Sequence, residues 1–369
     1  MVQRTKKEIP KGGNPWGNIA KENPLPRFMN IITHVNVEVK GFEEKNIKIA
    51  ASEEKYGHKW AEKKLLAKEM AKKFRQIGEW TRAARMESCA EIVAGRICGD
   101  CGQMMVDYAN LCRDRFCPVC KWRLSMQRFA NMIQIVTGLR TAYPEADWQF
   151  VTLTAKNCPV EGLTDMLDEM NRCWNCIASS KKFKSQVAGW AKSVEITHNP
   201  RTGELHPHFH ILMMYHEGFA PTDYVIKRWL KGIRRTASVL AQKADKIQFT
   251  TSNEKEVGAQ MWEDDVDKAA IDAILETFKY ATKDSEILQL PAQAFFTVTR
   301  TIANRRLISF GGLIKEYAKA CEIEHEMDDV TSDQDDEAAL QICCRCKSKA
   351  MIDVVAKWCG QAYVWRRVE

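Results

Sequence analysis

Residues 190–215 read WAKSVEITHNPRTGELHPHFHILMMY, and their alternation decides the fold. Trp190–Thr197 and His206–Tyr215 alternate with the two-residue period of strands, and Asn199-Pro200-Arg201-Thr202-Gly203 between them has turn chemistry. In a strand, residues two apart share a face, so His206, His208 and His210 point one way and Phe209, Ile211 and Met213 the other. Register follows the apolar faces. Setting Val194 and Ile196 beside Phe209 and Ile211 puts Glu195 beside His208 and His210. His206 is the poorer co-ligand of His210, because four residues of strand separate their α-carbons by roughly 13 Å. The sequence therefore predicts a metal group of His208, His210 and Glu195. Mixed imidazole and carboxylate donors suit a divalent ion such as Mg2+ or Mn2+ that polarises a phosphate.

Outward from the hairpin, Trp148–Lys156 (WQFVTLTAK) reads as a strand, and Leu163–Phe183 carries a helical apolar stripe. Pro221–Leu240 reads as a helix with Thr222 as N-cap, and Lys246–Thr251 as a further strand. The order is β-α-β-β-α-β, the ferredoxin-like order, which predicts an α+β domain with helices on one face of an antiparallel sheet. A helix from about Asp264 to Thr282 follows.

Charge is segregated along the 369 residues. Residues 1–250 carry 40 Lys and Arg against 26 Asp and Glu, whereas residues 251–340 carry 9 against 20. A basic two-thirds suits a nucleic-acid partner, because neutralising phosphates drives non-specific affinity. No stretch approaches 18 apolar residues, which excludes a membrane-spanning helix, and residues 1–20 have no apolar core of a secretory signal. The expected location is the cytoplasm. There the 14 Cys serve as metal ligands and buried thiols rather than disulfides.

Cys98-Gly-Asp-Cys101 and Cys117-Pro-Val-Cys120 are two Cys-x2-Cys pairs at a spacing that suits tetrahedral zinc, with Cys112, or less readily Cys89, as a substitute ligand. Arg113, Arg115, Lys121, Arg123 and Arg128 surround them, so this module is expected to position DNA rather than to catalyse. Cys343, Cys344, Cys346 and Cys359 offer one Cys-x2-Cys and a distant fourth thiol. Glu276, Tyr280 and Lys283 lie on one face of the helical pattern at 275–283. A tyrosine nucleophile needs a cation or metal to lower its pKa from about 10, and a neighbouring carboxylate can activate water.

These elements together resemble the rolling-circle plasmid replication initiators of bacteria, within the HUH endonuclease superfamily. Phe150-Val-Thr-Leu-Thr154 is similar to their first motif, and His208-Phe209-His210 to the metal-binding pair that names the superfamily. Tyr280-x-x-Lys283 is similar to the third motif, and Arg306–Gly312 to a stretch that follows it in the branch with one catalytic tyrosine and a preceding Cys cluster. The resemblance covers residues 96–316. It implies metal-dependent nicking and joining of origin DNA, with Tyr280 forming a 5′-phosphotyrosine and freeing a 3′-OH, and a host helicase and replication machinery as partners. An HUH transposase or mobilisation relaxase, and a non-catalytic zinc regulator, are the alternative readings. The expected organisation is a basic arm and helix (1–95), a zinc module (96–143), the HUH endonuclease domain (144–320), an acidic linker (321–340) and a small Cys- and Trp-containing tail (341–369).

Overall fold

The structure is a computed structural model that describes residues 58–102, 104–215, 221–232, 242–247, 274, 282–321 and 348–368. The arm before residue 58, the acidic stretch from 322, and Tyr280 and Glu276 lie outside these residues, as do Cys343, Cys344 and Cys346 and almost all of the helix expected at 264–282.

The larger unit is a five-stranded sheet. Its strands are β3 (Asp147–Thr154), β4 (Val187–His198), β5 (Leu205–Tyr215), β6 (Gln242–Ile247) and β7 (Ile308–Gly311), in the order β6-β3-β5-β4-β7. The first four have the ferredoxin-like arrangement, and β7 extends the β4 edge. Between them run α4 (Leu163–Ala178), α5 (Lys181–Gln186) and α6 (Pro221–Gly232). The stripe on α4 buries Leu163, Met166, Leu167, Met170, Cys173, Trp174 and Ile177. On the same side Phe209 of β5 meets Trp229 of α6 at 5.8 Å between rings.

Helices were expected on one face only, and the structure corrects this. β5 is apolar on both sides over Ile211-Leu212-Met213-Met214, so its two faces both need cover. Leu212, Met214 and Trp148 form a second core with Met132, Ile135 and Leu139 of α3 (Pro118–Ala142) and with Ile314 and Tyr317 of α9 (Gly312–Ala320). A second difference is the last strand. It was expected at 246–251, but β6 occupies 242–247 against Trp148–Thr152 of β3. Its sequence, QKADKI, lacks apolar alternation, as charged edge strands often do.

The other unit is a four-stranded antiparallel sheet, ordered β2-β1-β8-β9. The hairpin β1 (Ile92–Cys98) and β2 (Met104–Ala109) pairs with β8 (Met351–Trp358) and β9 (Tyr363–Arg367). The C-terminal tail thus completes a sheet begun 250 residues earlier. Helices α1 (His58–Gln76) and α2 (Trp80–Ser88) accompany it, with Trp60 of α1 meeting Tyr363 edge-on at 6.5 Å. Between α8 (Ala292–Ala303) and α1, Phe295 and Phe74 meet at 4.9 Å, which joins the two units.

Candidate metal centres and the segment after Tyr280

Strands β4 and β5 pair with Glu195 opposite His208 and Ser193 opposite His210. Glu195 Oε2 is 2.7 Å from His208 Nε2 and 2.8 Å from His210 Nε2, and Glu195 and His210 are both about 5% exposed. One donor atom from each of the three lies within 4.8 Å of the others, so the group could hold a metal ion. The site sits beyond the part of the sheet that α3 and α9 cover, on the face shared by Leu212 and Met214.

The outer nitrogens explain how the rings are aimed. His208 Nδ1 is 3.3 Å from the carbonyl of His206, and His210 Nδ1 is 3.2 Å from Thr152 Oγ1 of β3. A carbonyl only accepts, so His208 donates through Nδ1, which aims Nε2 at the carboxylate. Two imidazole nitrogens and one carboxylate oxygen facing one another are a mixed donor set of the kind that holds a divalent ion. The residues therefore fit a divalent ion. Burial pushes the Glu195 carboxyl upward, but the bonds to His208 and His210 outweigh it and hold the group well below the usual carboxylate range. Phe150 stacks on His210 with centroids 5.6 Å apart. His206 lies outside the group. Burial and then His208 push its pKa down.

The second cluster differs from the expected ligand set. Cys117 and Cys120 are joined by Cys112 and Cys89, four buried thiols within 4.8 Å of one another. Cys98 and Cys101 lie elsewhere, because β1 separates them from Cys89. Cys89 precedes this strand and Cys98 ends it, and its six residue steps span roughly 20 Å. The β1–β2 hairpin instead brings Cys112 back beside Cys89: Ala90 N–H donates to Asn110 O at 2.7 Å, and Cys112 N–H to Cys89 Sγ at 3.4 Å. The residues after these two cysteines, Ala90 and Arg113, have φ of 53° and 57°, a strained left-handed turn at each.

Sγ separations of 3.6 Å (Cys89–Cys120) and 3.7 Å (Cys112–Cys120) match the edge of a tetrahedron with ~2.3 Å zinc–sulfur bonds, roughly 3.8 Å. Cys117 is the N-cap of α3 and Cys120 lies in its first turn, where the helix dipole favours thiolates. Hydrogen bonds from Cys117, Cys120 and Cys89 hold the Cys112 thiol far below its ordinary range, whereas burial pushes Cys117 up. The fully buried Lys64 Nζ donates to the carbonyls of Glu87 and Cys89, both at 2.6 Å.

Of the expected Tyr280-x-x-Lys283 motif, Lys283 is described. It caps α7 (Asp284–Gln289), and its Nζ is 3.2 Å from Glu286 Oε1. The backbone just after Tyr280 is held on two sides. Lys121, next to Cys120, donates to Thr282 O at 2.7 Å and to Asp284 Oδ1 at 2.6 Å, with both side chains buried. Glu286 Oε2 accepts from His198 N–H at 2.9 Å, three residues beyond Glu195 on β4. Thr152, Lys121 and Asp284 were not singled out for these contacts in the sequence, since none stands in a recognisable spacing.

No helix among the described residues is long and apolar enough to cross a membrane. The profile of the replication protein family matches residues 103–359. The replication protein (Protein rep) of Streptococcus pneumoniae serotype 2 (strain D39 / NCTC 7466) is 29% identical over 287 residues, covering 75% of this chain and 85% of that protein. The corresponding proteins of Bacillus amyloliquefaciens and a Bacillus sp are 28% and 30% identical, covering 70% and 64% of this chain and 79% and 80% of theirs. No solved structure gives a significant match. With the motifs, the sheet and the two clusters in agreement, the chain belongs to the replication protein family, the rolling-circle plasmid initiators its sequence resembles.

Proposed function

We propose that this plasmid replication initiator nicks and rejoins origin DNA through Tyr280, beside a metal held by His208, His210 and Glu195. The convergence of Glu195 Oε2 on two Nε2 atoms, 2.7 and 2.8 Å away, is the observation that carries this reading. A divalent ion bound there would polarise a non-bridging oxygen of the scissile phosphate. The Tyr280 oxygen attacks phosphorus, and the bond from phosphorus to the 3′ oxygen breaks. The phenolic proton is lost, and the leaving 3′ oxygen takes one up. The products are a 5′-phosphotyrosine and a 3′-OH that primes synthesis. Lys283, three residues on, would favour the phenolate or hold charge on the phosphate. The clamp of Lys121 on Thr282 and Asp284, and of His198 N–H on Glu286, supports a fixed approach for that segment. The Cys89, Cys112, Cys117 and Cys120 cluster, with zinc, would stabilise the module that orients origin DNA. A host helicase would follow the nick.

Glu276 has a separate role in this reading. After initiation the single tyrosine is already esterified, so cleavage at the regenerated origin needs another nucleophile. Glu276, four residues before Tyr280 in the sequence, would deprotonate a water for that step.

Incubation with a single-stranded origin oligonucleotide in Mg2+ or Mn2+ tests the reading. A covalent protein–DNA adduct is expected that disappears with chelator and in His210→Ala, whose Cys cluster keeps its zinc. Nicking of equal rate in chelator or in His210→Ala would refute the metal role. Glu276→Gln is expected to form the adduct but to accumulate plasmid multimers, and monomeric circles from it would refute the second role.

A further inference from the structure

Helix α1 lies before the residues that the family profile matches, and its apolar stripe contains a lysine. Trp60, Lys64, Ala67, Ala71 and Phe74 follow the helical period and are all buried, Lys64 completely. A lysine is almost never fully buried unless it is paired. Among the described residues, however, Lys64 Nζ forms no ion pair and donates only to two backbone carbonyls, those of Glu87 and Cys89.

The four-thiol cluster explains where that charge belongs. Cys117 and Cys120 sit at the start of α3, but Cys89 and Cys112 lie in connections, and each leads into a residue of positive φ, Ala90 or Arg113. The carbonyl of each of these two cysteines accepts a hydrogen bond from a cation. Lys64 Nζ donates to Cys89 O at 2.6 Å, and Arg85 of α2 donates to Cys112 O at 2.5 Å. The buried Tyr363 of β9 donates its hydroxyl to Ala90 O, which secures the first of the two turns further. Four thiolates around a divalent ion leave two negative charges. Burying that charge is costly unless cations and hydrogen bonds compensate it.

We propose that Lys64 and Arg85 are positioning residues of the zinc cluster, holding the Cys89 and Cys112 turns in their ligating conformation and offsetting the charge of the tetrathiolate. Helices α1 and α2 then belong to the zinc module, which begins at residue 58 rather than 96. The inference rests on the zinc reading of the four-thiol cluster and stands independently of the nicking reaction. A lysine that only capped the last carbonyls of α2 would add stability without changing the affinity for zinc. That difference is what the experiment reads.

The test is made on the full-length protein. Competition with a chromophoric chelator measures zinc affinity, and substitution with Co2+ reports the thiolate-to-metal charge-transfer band. Lys64→Met keeps the length of the side chain and removes its ammonium. It should weaken zinc binding about 10–100-fold and perturb the cobalt band. Arg85 is exposed, so its replacement spares the core and decides the matter where Lys64→Met does not fold. Arg85→Met should also weaken zinc binding, and Arg85→Lys, which can still donate to Cys112 O, should restore most of the affinity. Lys68→Met is the control on the same helix, where Lys68 lies over the Trp358 ring, and should bind zinc as the wild type does. Wild-type affinity with an unaltered cobalt band in folded Lys64→Met, or in Arg85→Met, would overturn the proposal. So would a loss in Lys68→Met as large as in Lys64→Met, which would mark a general effect of α1 on the fold. A wild-type protein that binds no zinc would instead overturn the zinc reading of the cluster, and the proposal with it.

Discussion

At the scale of single residues, placement decides which side chains can react. Burial pushes the phenols of Tyr215 and Tyr317 up to about 12, which makes them poor nucleophiles at neutral pH. Lys192 shows the converse effect on a cation. It points to the helix side of β4, opposite Glu195, donates to Asn171 Oδ1 at 2.7 Å, and lies 4.1 Å from the Phe209 ring centroid. Burial pushes its pKa down to about 8. An unfolded lysine holds its proton up to about 10.4. Between those values the unfolded chain binds more protons, so stability rises with pH across that window. Lys192→Met lacks this gain. Its advantage over the wild type in urea unfolding should shrink by roughly 2 kcal/mol between pH 7.5 and 10. An unchanged difference would mean that Lys192 titrates normally. The histidine pair and Glu195 were legible in the sequence because a period of two and a match of apolar faces leave one register. Thr152 was not, since its role depends on β3 lying on the other side of β5.

At the scale of elements, the buried pair Lys121–Asp284 ties the first turn of α3 to the first turn of α7. Burial pushes the Lys121 ammonium down, and Asp284 opposes this. Removing one partner leaves the other as an uncompensated charge, at about 3–5 kcal/mol. Lys121→Met should therefore lower the urea-unfolding free energy by that order, and adding Asp284→Leu should recover much of the loss. Failure of the double variant to recover would show that the backbone bond to Thr282 dominates. The expected grouping of Cys98 and Cys101 with Cys117 and Cys120 differs from the structure, which gathers Cys89 and Cys112 with them instead. Spacing alone cannot tell that a seven-residue strand carries one Cys-x2-Cys pair away from the other, nor that the returning strand brings Cys112 to Cys89. Zinc at the observed cluster carries its own expectation. Cys112→Ser should lose one zinc and melt at lower temperature in a calorimetric scan, and a wild-type melt with full zinc would exclude Cys112 as a ligand.

At the scale of the whole molecule, the β-α-β-β-α-β order was legible because the hairpin, the stripe on α4 and the turn at 199–203 are local patterns. The union of the chain's two ends was not, because nothing local in residues 351–367 says that β8 pairs with a strand 250 residues earlier. Nor does a local pattern reveal α3 and α9 on the second face, which depends on how many apolar residues β5 must cover. This architecture sets the Glu195–His208–His210 group, the four-thiol cluster and the anchored segment after Tyr280 around one end of the five-stranded sheet. The central claim is that Tyr280 is the residue joined to DNA there. The most direct measurement is peptide mapping by mass spectrometry of the adduct formed with the single-stranded origin oligonucleotide. A phosphotyrosyl linkage at Tyr280, absent in Tyr280→Phe while DNA binding is retained, is the expected result. A linkage at any other residue, or an adduct that survives in Tyr280→Phe, would contradict it.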